Sequence, residues 1–402
     1  MPSDPRTADV STSDHARPLT VLQLVPTMKS GGVERGAIEI AQALIDRGDR
    51  ALIASRGGRM VAQFRRIGGE FHELDMATKS PIVMYRNVAR LRTLIREEGV
   101  DIVHARSRAP AWSGYYAARA EGVPFVTTYH GVYNEDFPFK RHYNAIMARG
   151  APTIAISEHV ARIVQERHGL GPDQIEIIPR GADIRTFDEE AVSTERTLSL
   201  GNAWGVIEDS RPIVMLPGRL TGWKGQTTLI AAAAELLSRK KSLGEHLDCQ
   251  FVLVGDDHGS GFQRKLEAQI AAAGLTGYFR LVGHCADMEA AYKLAAVVVS
   301  ASTEPEAFGR VAVEAQAMGR PIIASAHGGS LETVEDQKTG YLYPPQDPKA
   351  LAEVIDAALS LDPSARAHMG MAGRARVRSR FTVEAMQRST LAVYDRIMEA
   401  RR

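Results

Sequence analysis

Short apolar runs alternate with helix-period segments along almost the whole chain, and this alternation restricts the fold more than any other feature. In the first half the runs fall at 19–25, 51–55, 102–104, 125–129, 153–156 and 175–178. Segments with helical spacing lie between them, among them 33–47, 81–98 and 158–168. Strands that alternate with helices pair in parallel and are covered on both faces, so a doubly wound α/β sheet is expected. The rhythm weakens over 188–210, which is charged and loosely periodic, and restarts with runs at 213–216, 251–254, 279–282, 297–300 and 321–324. Two such units therefore follow one another, as suits a chain of 402 residues. The expected organisation is a disordered tail (1–17), an N-terminal doubly wound domain (18–187), a linker (188–210), a C-terminal doubly wound domain (211–380) and a terminal helix (381–402).

Composition narrows the class. A net charge of +1 gives no bulk attraction to nucleic acid or to an anionic membrane, and no nucleic-acid partner is expected. Cys249 and Cys285 have no metal-like spacing and suit a reducing compartment. The first 17 residues lack the apolar core of a signal peptide. No apolar run approaches the length of a membrane span. The expectation is a cytoplasmic protein, free or held at the inner face of the cytoplasmic membrane.

The densest chemistry lies at Glu306-Ala307-Phe308-Gly309-Arg310-Val311-Ala312-Val313-Glu314. An apolar run ends just before it and an amphipathic segment follows, which reads as strand, loop and helix with Gly309 at the helix start. A helix N-terminus offers backbone N–H groups and partial positive charge to a phosphate. The two carboxylates suit hydroxyl groups on either side of that phosphate. A ligand with phosphates in the middle and hydroxyls at both ends is a nucleotide-sugar.

This segment resembles the E-x7-E motif of retaining glycosyltransferases of family 4, whose GT-B fold has two Rossmann-like doubly wound parallel-sheet domains facing an interdomain cleft. Seven further motifs follow the family's order: Gly31-Gly32-Val33-Glu34, Thr128-Tyr129-His130-Gly131, Ala155-Ile156-Ser157-Glu158, Ile178-Pro179-Arg180-Gly181-Ala182-Asp183, Gly218-Arg219-Leu220 with Trp223-Lys224-Gly225, Leu253-Val254-Gly255-Asp256, and Gly328-Gly329-Ser330-Leu331-Glu332. The resemblance runs from Val21 to about Phe381.

The resemblance implies roles. Arg219 and Lys224 would contact the diphosphate and stabilise the charge that builds on it as the sugar–oxygen bond breaks. Glu314 would accept from the ribose hydroxyls and Glu306 from the donor sugar, while the amides of Phe308, Gly309, Arg310 and Val311 line sugar and diphosphate. His130 would lie near the anomeric carbon. The backbone of His284 and Cys285 would hold the nucleobase edge, and Gly31 and Gly32 would let backbone approach phosphate or acceptor. No metal and no cofactor beyond the donor are implied, because cationic side chains and helix dipoles do that work. The acidic doublet Asp256-Asp257 is read as a loop feature. The segment from Gly218 departs from the G-x4-G-K-[ST] pattern, with Gly225 in place of the hydroxyl residue, and no G-x-G-x-x-G follows the first strand.

The first half should hold a saccharide or lipid-linked acceptor. Its basic residues Arg86 and Arg90, with Arg96 near the same helix face, and Arg106 and Arg108 at the end of a strand, are candidates for contact with an anionic acceptor or membrane surface. The expected activity is transfer of a hexose-type sugar to a saccharide or glycolipid, in surface polysaccharide or lipopolysaccharide synthesis. The rivals are a sugar-nucleotide epimerase of the same fold and a non-catalytic nucleotide-sugar-binding module.

Overall fold

The computed structural model describes residues 17–402 apart from Ser30 and Phe137. The expected tail lies outside the described residues except for Arg17, whose guanidinium donates to both Asp101 carboxylate oxygens at 3.0 and 2.5 Å. The chain divides into two compact units, one running to Ile178 and resuming at Met386–Arg402, the other Pro179–Ala385.

The first unit contains strands β1 (Thr20–Leu24), β2 (Arg50–Ser55), β3 (Glu70–Glu73), β4 (Ile102–Ala105), β5 (Phe125–Tyr129), β6 (Thr153–Ala155) and β7 (Ile175–Ile177). They form one parallel sheet in the order β3-β2-β1-β4-β5-β6-β7. Its helices are α1 (Gly32–Asp46), α2 (Val61–Arg66), α3 (Pro81–Glu97), α4 (Arg108–Ala120), α5 (Pro138–Asn144) and α6 (Glu158–His168). Helix α6 starts where the Ser157 hydroxyl accepts from the Val160 amide at 3.0 Å and stops at left-handed Gly169, the expected pairing of a polar N-cap with a glycine stop. β1 is buried along its whole length. Each fully buried Val or Leu there stabilises the fold by roughly 1.5–3 kcal/mol. Gln23 is tolerated inside because its amide donates to the Ala37 carbonyl at 2.9 Å.

The second unit contains α7 (Thr194–Trp204), β8 (Ile213–Pro217), α8 (Gln226–Ser242), β9 (Gln250–Val254), α9 (Phe262–Ala272), β10 (Phe279–Leu281), α10 (Met288–Leu294), β11 (Val297–Ser300), α11 (Arg310–Ala317), β12 (Ile322–Ser325), α12 (Ser330–Thr333), β13 (Gly340–Tyr343), α13 (Pro348–Ser360) and α14 (Pro363–Arg380). Its parallel sheet has the order β10-β9-β8-β11-β12-β13. The core packs Leu216, Phe251, Leu253, Val297, Val299 and Ile323 against Leu229, Leu236, Leu351 and Ile355 from α8 and α13. Residues 188–210 are not a bare linker: they carry α7, N-capped by Ser193, and belong to the second unit, where Arg196 bridges to Asp287 and Glu289 at 2.5 and 2.7 Å. Their weak periodicity follows from position, since Gly201 is the buried residue of α7.

The terminal helix α15 (Val383–Glu399) passes into the first unit at Met386. Arg47 pairs there with Asp395 at 2.8 Å, and the Gln387 amide donates to the Glu39 carbonyl at 2.7 Å.

Both sheets reverse winding direction once, between β1 and β4 and between β8 and β11. Open parallel sheets bind ligands outside the strand carboxyl ends at such a switch point, where the two loops diverge.

Candidate active site

In the second unit the switch point brings together the loops after β8 and β11. Lys224 ends a short turn (Gly222–Lys224) and its ammonium donates to Glu306 Oε1 at 2.5 Å. The same oxygen accepts from the Ser302 hydroxyl at 2.6 Å. Lys224 also sits over the Trp223 ring, 4.2 Å from its centroid, a cation–π contact. The Thr303 amide donates to the Trp223 carbonyl at 2.7 Å, so the loops are stitched by backbone as well. Gly225 makes this approach possible: at φ 77° it adopts a left-handed conformation, and a Cβ there would lie 1.7 Å from the Ala301 carbonyl oxygen. Arg219 stands on the same loop with an exposed side chain and no ion-pair partner among the described residues. Gln226 holds its carbonyl at 3.0 Å.

Gly309 is the N-cap of α11, and no side chain caps this helix start. The loop before it is gripped from behind by Gly328 and Gly329. The Gly329 amide donates to the Glu306 carbonyl at 2.8 Å, and a Cβ on Gly329 would lie 2.4 Å from the Phe308 carbonyl oxygen. Phe308 is buried edge-to-face against Phe381, with centroids 5.7 Å apart. One turn into α11, Glu314 accepts from Arg310 at 2.5 Å and from the Tyr292 hydroxyl at 3.0 Å. Burial and the Glu314 carboxylate push the Tyr292 phenol well above its usual range, so it stays a neutral donor. Arg310 and Val311 are half-buried in the first turn of α11.

Sequence reasoning therefore picked out Lys224, Glu306, Gly309, Arg310 and Glu314 as one group, and the structure brings them to one end of the second sheet. It missed Ser302 and Tyr292, which hold the two carboxylates; a serine and a tyrosine carry no motif of their own. His284 is exposed on the loop after β10, and the Cys285 thiol, raised in pKa by burial, donates to the Asp287 carbonyl at 3.2 Å. Asp256 and Asp257 accept from backbone amides of His258, Gly259 and Gln263 at 2.6, 2.9 and 3.2 Å, shaping the loop into α9. Among the described residues no group of three or more His, Cys, Asp or Glu side chains could hold a metal ion.

In the first unit, Gly31 is the N-cap of α1 and Gly32 its first residue. His130 follows β5 and is half-buried. Arg106, expected to reach an acceptor or a membrane, is instead 3 % exposed, and its Nε donates to Gln23 at 2.5 Å. It leaves the end of central strand β4 inward, and burial lowers its pKa from the usual arginine value. Beside it His104 is fully buried, bonded through Nδ1 to the Tyr394 hydroxyl at 2.6 Å and through Nε2 to the Thr128 hydroxyl at 2.7 Å. Burial, Arg106 and His130 hold its pKa well below the usual value, so the ring is neutral. Arg108 stays at the surface of a cavity of about 740 Å³ lined also by Pro26, Lys79, Tyr133, Lys140 and Tyr143. It stacks 4.1 Å from the Tyr133 ring centroid and donates to Asn144 at 2.9 Å. Arg86 and Arg90 are exposed on α3, next to exposed Ile82 and Tyr85. Arg96 pairs with Glu121 at 3.6 Å. No helix among the described residues is long and apolar enough to cross a membrane.

Comparison with known proteins agrees with this arrangement. Residues 205–376 match the family described as Glycosyl transferases group 1, and residues 30–186 match Glycosyltransferase Family 4. A glycosyltransferase from Rickettsia africae superposes with a TM-score of 0.87 at 35% identity, covering 95% of this chain and 99% of that one. Anabaena HepE, crystallised with UDP-glucose, gives 0.79 at 26% identity, covering 94% and 99%. The D-inositol 3-phosphate glycosyltransferase of Salinispora arenicola is 29% identical over 68% of this chain, and the match spans 64% of that relative's length. With its two parallel-sheet units and both family matches, the chain belongs to the family 4 glycosyltransferases, which have the GT-B fold.

Proposed function

We propose that this protein transfers a hexose-type sugar from a nucleotide-diphosphate sugar to a hydroxyl of a saccharide or glycolipid acceptor, with retention at the anomeric carbon and without a metal ion. The observation that carries the reading is the Lys224–Glu306 pair at the β8/β11 switch point, followed by α11 with Glu314 one turn in. The donor diphosphate would lie between Arg219, Lys224 and the start of α11. Glu306 keeps Oε2 for a sugar hydroxyl, since both of its contacts fall on Oε1. Glu314, fixed by Tyr292 and Arg310, would accept from the ribose. The acceptor oxygen bonds to the anomeric carbon on the face from which the phosphate oxygen leaves. The acceptor's proton passes to that departing oxygen, and the nucleoside diphosphate keeps the bonding pair. Lys224 and Arg219 stabilise its growing charge. His130 would contact the sugar near the reacting carbon, and His284 with Cys285 the base.

The acceptor reading rests on the cavity at the first unit's switch point. Lys79 and Arg108, with Lys140 in an exposed pair to Asp136 at 2.5 Å, make its wall basic, which fits an acceptor bearing a phosphate or another anion, as in surface polysaccharide or lipopolysaccharide synthesis. The relatives named for inositol 3-phosphate fit the same chemistry. Exposed Ile82 and Tyr85 beside Arg86 and Arg90 support peripheral contact with an anionic membrane. The test is a thermal-shift screen of nucleotide-sugars, then product analysis by NMR with the best donor. Retained anomeric configuration in an acceptor-dependent product supports the proposal. Conversion of donor alone to an epimer, or binding with neither transfer nor hydrolysis, would replace it with one of the two rivals.

A further inference from the structure

The second unit has a second recess, at the opposite ends of its strands from Lys224 and Glu306. It opens beside Ala296 and Pro321, which immediately precede β11 and β12, and it is closed by the first turns of α14. Its volume is about 310 Å³, enough for a small ligand. Three guanidinium groups face it, Arg320, Arg366 and Arg374, against one carboxylate, Glu189. Glu189 pairs with both Arg320 and Arg374. Arg366 is outside that pairing: it donates through Nη2 to the Leu359 and Leu361 carbonyls at 3.0 and 3.3 Å. Its Nε is buried without an acceptor among the described residues. Three cations against one anion leave the recess undercompensated, and burial together with Arg374 lowers the Arg320 pKa to about 10.

We propose that this recess binds a small dianion, inorganic phosphate or a phosphate monoester. Its oxygens would take the guanidinium hydrogens now shared with Glu189 and the idle Arg366 Nε, a pairing for which planar arginine forks are suited. Pro321 and Met371, the latter 54% exposed at the rim, give an attached carbon skeleton an apolar wall. Glu189 is the internal competitor: an entering dianion displaces its carboxylate from both arginines. None of these groups belongs to the proposed transfer site, which faces the other ends of the same strands.

The experiment is calorimetric titration of the full chain with inorganic phosphate and, separately, with a hexose 6-phosphate, in an Arg219→Ala, Lys224→Ala background that removes both donor-site cations. Saturable binding of either probe is expected. Arg374→Gln should weaken it about tenfold or more, and Glu189→Gln should tighten it about three- to tenfold. A tighter fit for the hexose phosphate assigns the monoester, and equal affinity assigns the free ion. No heat up to about 10 mM probe overturns the proposal. So does an affinity unchanged in both variants. Should Arg374→Gln not fold, the direction of the Glu189→Gln effect decides alone, and weaker or unchanged binding there rejects the site.

Discussion

The two switch points have the same topology and opposite chemistry. In the second unit the loops after β8 and β11 are drawn into contact, with a lysine on a glutamate, glycines permitting the approach, and each carboxylate held by a hydroxyl and a cation. In the first unit the polar groups nearest the strand ends, His104 and Arg106, are sunk into the core, and a basic cavity is left in front of them. A closely fitted site suits a ligand whose parts never vary, such as diphosphate and ribose. An open basic cavity suits one that differs between enzymes built on the same plan.

The largest expected effect is at the fitted site. Lys224→Ala should lower kcat/KM by about 10²–10³, or about 3–4 kcal/mol of transition-state stabilisation, measured by initial rates with the donor found in the screen. A loss below about tenfold would show that the cation is ornamental and the contrast between the sites misplaced. Next comes the buried histidine. His104 has its folded-state pKa depressed, so the unfolded chain binds the extra proton once pH falls below about 6.5. Stability should therefore be intact above that pH and fall by up to about 1.4 kcal/mol per pH unit below it. Urea denaturation at pH 5.5 and 7.5 measures this, and His104→Gln should flatten the difference; an unchanged slope would remove His104 as its source.

A smaller effect separates acceptor from donor. Arg108→Ala or Lys140→Ala should raise the acceptor KM about fivefold, roughly 1 kcal/mol, with the donor KM unmoved. A rise in donor KM alone would reverse the assignment of the two cavities. The smallest concerns α3. Arg86→Glu with Arg90→Glu should abolish cosedimentation with anionic vesicles, each charge contributing about 1 kcal/mol, while turnover of a water-soluble acceptor persists. Equal sedimentation of variant and wild type would end the membrane reading.

Most of this architecture was legible because buried parallel strands are nearly uninterrupted apolar runs. The exceptions are instructive. β3, with residues Glu70-Phe71-His72-Glu73, and β13, with Gly340-Tyr341-Leu342-Tyr343, are edge strands of mixed composition, so no run marks them, whereas the edge strands β7 and β10 kept theirs. α7 buries too little to show a period. At the site, the contiguous segment from Glu306 to Glu314 was readable because spacing along one helix start fixes its geometry. The bond from Lys224 to Glu306 spans 82 residues and follows only from the strand order. Arg106 was misread for the complementary reason: His104-Ala105-Arg106-Ser107-Arg108 looks like one basic surface cluster, yet His104 and Arg106, two residues apart at the end of a central strand, share its inward side, and only Arg108, where α4 begins, leaves that line.

The lysine–glutamate clasp has a consequence for selectivity. The ammonium is already matched, so a bare anion arriving there would separate two charges and leave the acid stranded. A visitor that also brings a hydroxyl consoles the carboxylate as it takes the lysine. On the proposed reading, the clasp would work as a two-term test that favours molecules in which acid and sugar arrive joined over a bare anion.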